Sequence, residues 1–214
     1  MLLLCSGSPR RRDFLLQLGL RFEVVRPEID EAQRPGEQAT AYVERLAREK
    51  AQAGLAIFGK RAANTPSPLA AGTAGPLAAG TVGPLAARPV VPLAADTIVV
   101  LRGQVLGKPR DRDDARRMLR LLSGTEHEVI TSVRVAGLQR TVSTSVRFRQ
   151  MPADALEWLV RSGDGDDKAG AYAVQGLAAA FVERLDGSVT NVVGLPIAET
   201  LEMLESAGVP PPWR

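Results

Sequence analysis

The sequence predicts an α/β fold built on a mixed, curved sheet, and three observations carry that expectation. Short apolar, β-branched runs alternate with segments of helical periodicity, so strands and helices share one chain from end to end. At least one pair of strand segments is joined too tightly for a crossover helix, so the sheet has antiparallel members and is not a purely parallel, doubly wound one. The 214 residues are 45% hydrophobic and 24% charged, which suits one large domain or two lobes sharing a core.

Residues 2–5, Leu-Leu-Leu-Cys, read as a buried strand. Met1 and these residues lack the basic start and long apolar stretch of a secretion signal. No apolar run approaches membrane-spanning length, and a cytoplasmic protein is expected. Ser8-Pro9 opens a helix, with serine at the N-cap and proline at the first helical position, and Gly19 closes it. Residues 22–25 form a strand. A long helix follows over residues 37–58, with Tyr42, Val43, Leu46, Ala47 and Ala51 on one stripe. Residues 98–101 and 105–106 flank Arg102-Gly103-Gln104 as a hairpin. Residues 113–122 are a helix ended by Gly124. Residues 129–135 and 141–148 alternate as paired strands. Residues 152–161 form a helix, 181–185 a strand turning at Asp186-Gly187, and 196–206 the last helix before Gly208.

From Pro68 the chain reads PLAAGTAG, PLAAGTVG, PLAARPVV and PLAADTIV, four copies of an eight-residue unit, the last running into a strand. An octad of this composition has no face to bury and matches no solenoid period. Residues 64–89 are therefore expected to be an expanded surface loop, which the logarithmic growth of loop-closure entropy lets a fold tolerate.

Composition excludes several classes. Cys5 is the only cysteine and His127 the only histidine, so there is no intramolecular disulfide, zinc knuckle or CxxC redox pair, and little room for a histidine-based metal site. A net charge of +3 suits an anionic substrate. Aromatic residues make up 4%, without the aromatic–basic interleaving that stacks single-stranded bases, and no nucleic-acid partner is expected. Of 27 basic residues only four are lysine: Lys50, Lys60, Lys108 and Lys168. In so arginine-rich a chain, a retained lysine is a candidate for a position that needs a compact ammonium.

Four segments could carry chemistry. In Ser6-Gly7-Ser8-Pro9-Arg10-Arg11 a buried strand ends in a small turn at a helix N-terminus, where free N–H groups, hydroxyls and guanidinium groups can hold phosphate. No GxxxxGK[ST] loop is present. Lys50 follows Val43 and Leu46 at helical spacing, so it projects from a face that should be buried. Asp96-Thr97 sets a carboxylate and a hydroxyl at the start of an apolar run, and Lys108 follows across the hairpin, within reach of the same end of the sheet. Residues 164–176 form a glycine-rich loop ending in Gln175, whose amide can read a base edge. That loop lacks the ligand spacing of a calcium site. His127 is expected to be structural.

The blocks SGSPRR, PEIDE, RLAREKA, ADTIVV, GKP, LSGTEHEV, DKAGAYAVQG and NVVGLPIAET together resemble the Maf family of nucleoside triphosphate pyrophosphatases. They occur in family order from residue 2 to about residue 207. ADT with AVQG is similar to the branch acting on dTTP and UTP. The resemblance implies a single domain over residues 1–214, with the two-lobed architecture shared with inosine triphosphate pyrophosphatases and a substrate cleft between the lobes. It implies hydrolysis between the α- and β-phosphates to a monophosphate and pyrophosphate. Asp96 matches the proton acceptor, and Arg10, Thr97 and Gln175 match positions that set base specificity. Ser6, Arg11, Glu31, Lys50 and Lys108 match cleft residues, and Lys168 lies in a matching block. A divalent cation, Mg²⁺ or Mn²⁺, is the cofactor expected for such chemistry, and a homodimer fits the resemblance. Alternatives are a pyrophosphatase for modified nucleotides and a nucleotide-binding regulator of cell division. Cys5 stands where the family usually has a small residue such as alanine, and the octad repeat lengthens the connection between Lys50 and Asp96.

The lysine argument is independent of the resemblance and has its own test. Lys50→Arg and Lys108→Arg are expected to lose activity although charge is conserved, because a planar fork replaces a compact ammonium and a misplacement of about 1 Å can cost roughly 10² in rate. Lys60→Arg should be neutral. Steady-state kinetics of the three variants with dTTP and UTP decides, and equal activity in all three would remove the argument.

Overall fold

A computed structural model describes residues 1–64 and 89–214. Residues 65–88, which hold the first two octads and most of the third, lie outside the described residues, so the expectation of a surface loop there is not addressed by the structure. Strands β1 (Leu2–Cys5), β2 (Phe22–Val25), β3 (Val91–Leu101), β4 (Gln104–Leu106), β5 (Glu126–Val135), β6 (Leu138–Phe148) and β7 (Val182–Asp186) form one mixed, open sheet. Its order is β2-β1-β3-β5-β6-β7, with β4 also paired to β3. β1 is parallel to both β2 and β3, and the remaining pairs are antiparallel. The helices are α1 (Pro9–Gln17), α2 (Ala39–Asn64), α3 (Arg112–Leu122), α4 (Ala153–Ser162), α5 (Val189–Val193) and α6 (Ile197–Ser206). Among the described residues no helix is long and apolar enough to cross a membrane.

The elements follow the sequence expectations in type and order, with β5 and β6 each starting three residues earlier than expected, at Glu126 and Leu138, and with three larger differences. α2 runs on to Asn64, past the expected end at residue 58. β3 begins at Val91, so Asp96 lies in the middle of a strand and not at its start. The short α5 was not anticipated, because its first turn is set by a Ser188 cap, whose side chain accepts from the Asn191 N–H, and five residues show no period. The β3–β4 hairpin forms as expected, but its connection is two residues and not three: Gln104 pairs with Leu101, and Arg102 (φ 51°) and Gly103 (φ 80°) are both left-handed as a two-residue primed turn requires.

β3 is the spine of the molecule. Ten of its eleven residues are buried, which is why it reads as a nearly continuous apolar run. On one edge it pairs along most of its length with β5, from Leu93↔Val135 to Val100↔Glu128. On the other edge its partner changes. Pairing with β1 ends at Leu93, and pairing with β4 begins at Val99. Among the described residues, 94–98 have no strand partner on that edge, and the sheet is split there.

Two apolar clusters lie on either side of the split and make the two lobes. One gathers Leu2, Leu4, Leu15, Leu93, Val133 and Leu204 around α1 and α6. The other gathers Leu106, Met118, Leu122, Val146, Phe148 and Leu156 around α3 and α4. α2 crosses the opposite face of the sheet and spans both. Its Val43 packs on Ile98, Val100 and Ile130, and its Ala51 on Leu3, Cys5 and Val25.

Gly54 lets α2 lie flat on β1. A Cβ there would come within 2.3 Å of Cys5 Sγ and 2.7 Å of Cys5 Cβ. Gly54→Ala is therefore expected to destabilise the protein by about 1–3 kcal/mol through overpacking, seen as a lower Tm. Adding Cys5→Ala removes the sulfur but not the β-carbon, so the double variant should recover part of the loss. Thermal unfolding of the wild type and the three variants measures both effects.

Candidate active site

Side chains of adjacent strand residues point to opposite faces, and at the split in the sheet this separates Asp96 from Thr97. Asp96 faces α2. Its Oδ1 accepts the Lys50 ammonium at 2.5 Å, and both side chains are only 12% exposed. Thr97 faces α1. Its hydroxyl meets Arg11 Nη2 at 3.1 Å and Thr131 Oγ1 at 2.9 Å. Thr131 donates in turn to the Asn191 carbonyl, and Asn191 Nδ2 donates to the Val129 carbonyl and the Thr144 hydroxyl, each at 2.9 Å. A buried polar chain thus fixes the Thr97 side from β5, β6 and α5.

The turn after β1 closes the cleft beneath Thr97. Ser8 is at the N-cap of α1, but its side chain makes no capping bond. The Ser6 Oγ accepts the Ser8 N–H at 3.1 Å, which fixes the turn that leads into the helix but does not cap it. Arg11, expected to clamp phosphate, is buried and tied inward: it donates to the Gly194 carbonyl at 2.8 Å, to Ser6 at 3.2 Å and to Thr97. Burial pulls its pKa below the ordinary arginine value, and the Asp96 charge partly restores it. A guanidinium has five N–H groups, so two stay available beyond these three bonds. Arg10 also lines the cleft, with its Nε buried and unpartnered.

Glu31 comes from the loop between β2 and α2, and α2 itself fixes that loop. Arg45, 4% exposed, donates to both Glu37 carboxylate oxygens at 2.7 and 2.8 Å, to Glu49 at 3.2 Å and to the Ala32 carbonyl at 2.9 Å. Tyr42 donates its phenol proton to the Glu31 carbonyl at 2.6 Å. Held this way, Glu31 Oε1 lies 2.7 Å from Lys50 Nζ. Desolvation raises the Glu31 pKa, but the Lys50 hydrogen bond and the charges of Lys50, Lys108 and Arg11 outweigh it and hold the group below its ordinary value. Lys50 therefore bridges two carboxylates.

The rim comes from the second lobe. Lys108 follows β4, and the Gly107 carbonyl accepts the Gly170 N–H at 3.0 Å, docking the 164–177 loop onto the hairpin. That loop is closed at its far end by Asp164, whose Oδ2 accepts the Leu177 N–H at 3.0 Å and lies where a Cβ on Gly176 would stand. Lys168 and Gln175 sit on either side of this loop, and Lys168 pairs with Asp167 at 2.5 Å. All ten sequence-predicted site residues line a single cavity of about 460 Å³. Six basic side chains line it, Arg26 being the one not anticipated, against three acidic ones: Glu31, Asp96 and Asp167. The cleft therefore carries an excess of positive charge and suits a polyanion.

Arg45, Tyr42, Thr131 and Asn191 were missed. The signal for Arg45 was present, since it falls one residue before Leu46 on the edge of the apolar stripe, with Glu49 at i+4 and Glu37 upstream. Thr131 and Asn191 meet only through long-range pairing, and local spacing carries no trace of it. His127 is structural as expected. It is 3% exposed, bonds Tyr172 Oη through Nε2 at 2.8 Å, and burial pushes its pKa down to about 4.

The hydrogen bond from Arg45 is the first cause that brings the Glu37 carboxyl down to about 2 from an ordinary 4.5. A depressed carboxyl pKa contributes stability that is present above the unfolded value and is lost as pH falls through the folded one. Arg45→Met should therefore be less stable than the wild type at neutral pH. The difference should shrink as pH falls from about 4.5 to about 2. Urea unfolding at a series of pH values, followed by circular dichroism, measures it, and a constant difference across that window would refute the assignment.

The family described as Maf-like protein matches residues 1–207. A dTTP/UTP pyrophosphatase of Anaeromyxobacter sp. (strain Fw109-5) is 48% identical over 99% of this chain and 92% of its own length. Proteins of the same description from Myxococcus xanthus (strain DK1622) and Salmonella typhimurium (strain LT2) are 43% and 46% identical. The first covers 100% of this chain and 96% of its own length, and the second 95% and 91%. With the split sheet and its cationic cleft, these matches place the chain in the Maf family.

Proposed function

We propose that this protein hydrolyses the pyrimidine nucleoside triphosphates dTTP and UTP to the monophosphate and pyrophosphate. The observation that carries the reading is Asp96, a carboxylate nearly enclosed at the split in the sheet and surrounded by the cations of a triphosphate-sized cleft. The names of the relatives support the substrate class.

In this mechanism Asp96 accepts the proton of the water that attacks the α-phosphorus. In the nucleotide-free protein Lys50 holds Oδ1, which leaves Oδ2 as the atom that takes the proton. The bond from the α-phosphorus to the bridging oxygen breaks, and pyrophosphate leaves. Lys50, Lys108 and Lys168, with Arg10 and the two remaining N–H groups of Arg11, neutralise charge that grows on the phosphate oxygens, an effect commonly worth several kcal/mol in the transition state. Ser6 adds a hydroxyl at the α1 N-terminus, where the helix dipole favours an anion.

Thymine and uracil present one N–H flanked by two carbonyl oxygens. The Gln175 amide offers both a donor and an acceptor to such an edge, with Thr97 and Arg10 on the facing walls. Glu31 and Asp96 are hard oxygen donors, suited to Mg²⁺ or Mn²⁺. Among the described residues no three metal-ligating side chains converge, so the fit is to a cation completed by substrate oxygens, the usual arrangement for Mg²⁺ at phosphates. When bound, the cation would shield phosphate charge.

The purified protein with Mg²⁺ or Mn²⁺ and a nucleotide panel should release pyrophosphate and monophosphate fastest from dTTP and UTP. Orthophosphate as the first product would overturn the reading. Asp96→Asn should fold and lose about 10² or more in kcat, the scale for losing a general base. Near wild-type turnover in a folded variant would remove Asp96 from the mechanism.

A further inference from the structure

We propose that the Lys50 ammonium holds the cation position between Glu31 and Asp96 in the nucleotide-free protein, so that a divalent metal enters only together with a triphosphate that draws Lys50 onto its phosphates. The inference rests on the hydrolase reading of the cleft and adds an order of loading to it.

The geometry supports it directly. One compact positive charge contacts Glu31 Oε1 at 2.7 Å and Asp96 Oδ1 at 2.5 Å, and the lysine side chain is 12% exposed. These are the two carboxylates that a hard divalent cation would need. While the ammonium lies between them, a metal would have to displace it or bind against it at short range, where a like charge in a partly desolvated site is strongly unfavourable. Arg45 and Tyr42 hold the Glu31 loop against α2, so the position is built in advance.

The surroundings act in the same direction. Arg11 and Lys108 also act on Glu31 by charge, and six basic side chains face three acidic ones across the cleft. A bare dication is repelled by that excess, whereas a metal–triphosphate complex keeps a net negative charge and is attracted. Once the phosphates arrive, they offer Lys50 another partner. Its flexible four-carbon stem lets the ammonium follow them without moving α2, and the two carboxylates become available to the metal. A guanidinium tied in a fixed fork, like that of Arg11, could not make this exchange.

The test is Mn²⁺ binding read by electron paramagnetic resonance of the free aquo ion, which needs no turnover. Wild-type protein is titrated alone and with a non-hydrolysable α,β-imido analogue of dUTP, after subtraction of Mn²⁺ held by the analogue in buffer. Lys50→Met and Lys50→Gln are titrated without nucleotide. The expected result is weak binding to the wild type alone and at least about tenfold tighter binding with the analogue, since removing or offsetting a unit charge at contact distance is worth more than that factor. Either Lys50 variant should bind Mn²⁺ without nucleotide at least tenfold more tightly than the wild type, and adding Asp96→Asn should abolish the gain. Wild-type protein that binds Mn²⁺ equally well with and without the analogue would overturn the proposal. So would folded Lys50 variants that bind no more tightly than the wild type. Turnover of dTTP by the wild type, measured separately, decides the hydrolase reading, so the two failures are distinguishable.

Discussion

Everything in the cleft depends on the change of partner along one edge of β3. Had β1 continued beside β3 past Leu93, its backbone would have covered residues 94–98 and their outward groups. Instead β1 stops at Cys5 and turns into α1, and β4 returns from the hairpin only as far as Val99. Between them a buried strand is open along one edge. In open α/β sheets ligands bind at the place where neighbouring connections diverge, and here the divergence lies along one strand. The turn after β1 supplies Ser6, the first turn of α1 supplies Arg10 and Arg11, the end of β4 supplies Lys108, and the strand itself supplies Asp96 and Thr97.

Such a site is costly to fold. Asp96, Arg11 and Ser6 are all buried, and charges taken out of water are tolerated only when partners replace their hydration. The structure provides those partners on both faces of β3. Lys50 meets Asp96 on the α2 face, and the Arg11–Thr97–Thr131–Asn191 chain satisfies the other. Buried ionic sets often add no stability over packed apolar side chains of the same volume, so stability alone does not account for this network. The two arginines divide accordingly. Arg11 is anchored by three internal acceptors and builds the wall, while Arg10 lines the same cavity with a buried Nε that has no internal partner.

Most of the fold was legible because its signals are local. Alternating apolar runs gave β5 and β6, the Ser8-Pro9 start gave α1, and the apolar stripe gave α2 with Lys50 on its buried side. The misplaced start of β3 has a physical cause. Val91-Pro92-Leu93 continues out of the repeated PLAA unit, so composition assigned to the repeat what burial between β1 and β5 turns into strand. The cleft residues named from sequence all meet in one cavity. The residues that position them were harder to see. Arg45 looked like one of many arginines until the loop 31–37 folded over it. Thr131 and Asn191 are 60 residues apart and meet only once β5 lies under α5.

The period of two along β3 has a further consequence. Asp96 and Thr97 are neighbours in sequence, yet one is set by α2 and the other by α1, β5 and α5. In the proposed mechanism the first belongs to the chemistry at phosphorus and the second to recognition of the base. A nucleotide that engages both must span the open edge of the strand. The peptide unit between the two residues is held by the β5 ladder on its far side, where Asp96 pairs with Ser132 and Thr97 with Thr131. The spacing between the two functions is thus fixed by backbone hydrogen bonds in a strand buried along nearly its whole length, and not by the loops around it. The loops that carry Glu31, Lys168 and Gln175 are held separately, by Arg45 and Tyr42 in the first case and by the Gly170–Gly107 bond in the second, so that spacing does not depend on them. This division, with a paired strand for register and separately anchored loops for the walls, suits the proposed cut of one phosphoanhydride at a set distance from the base.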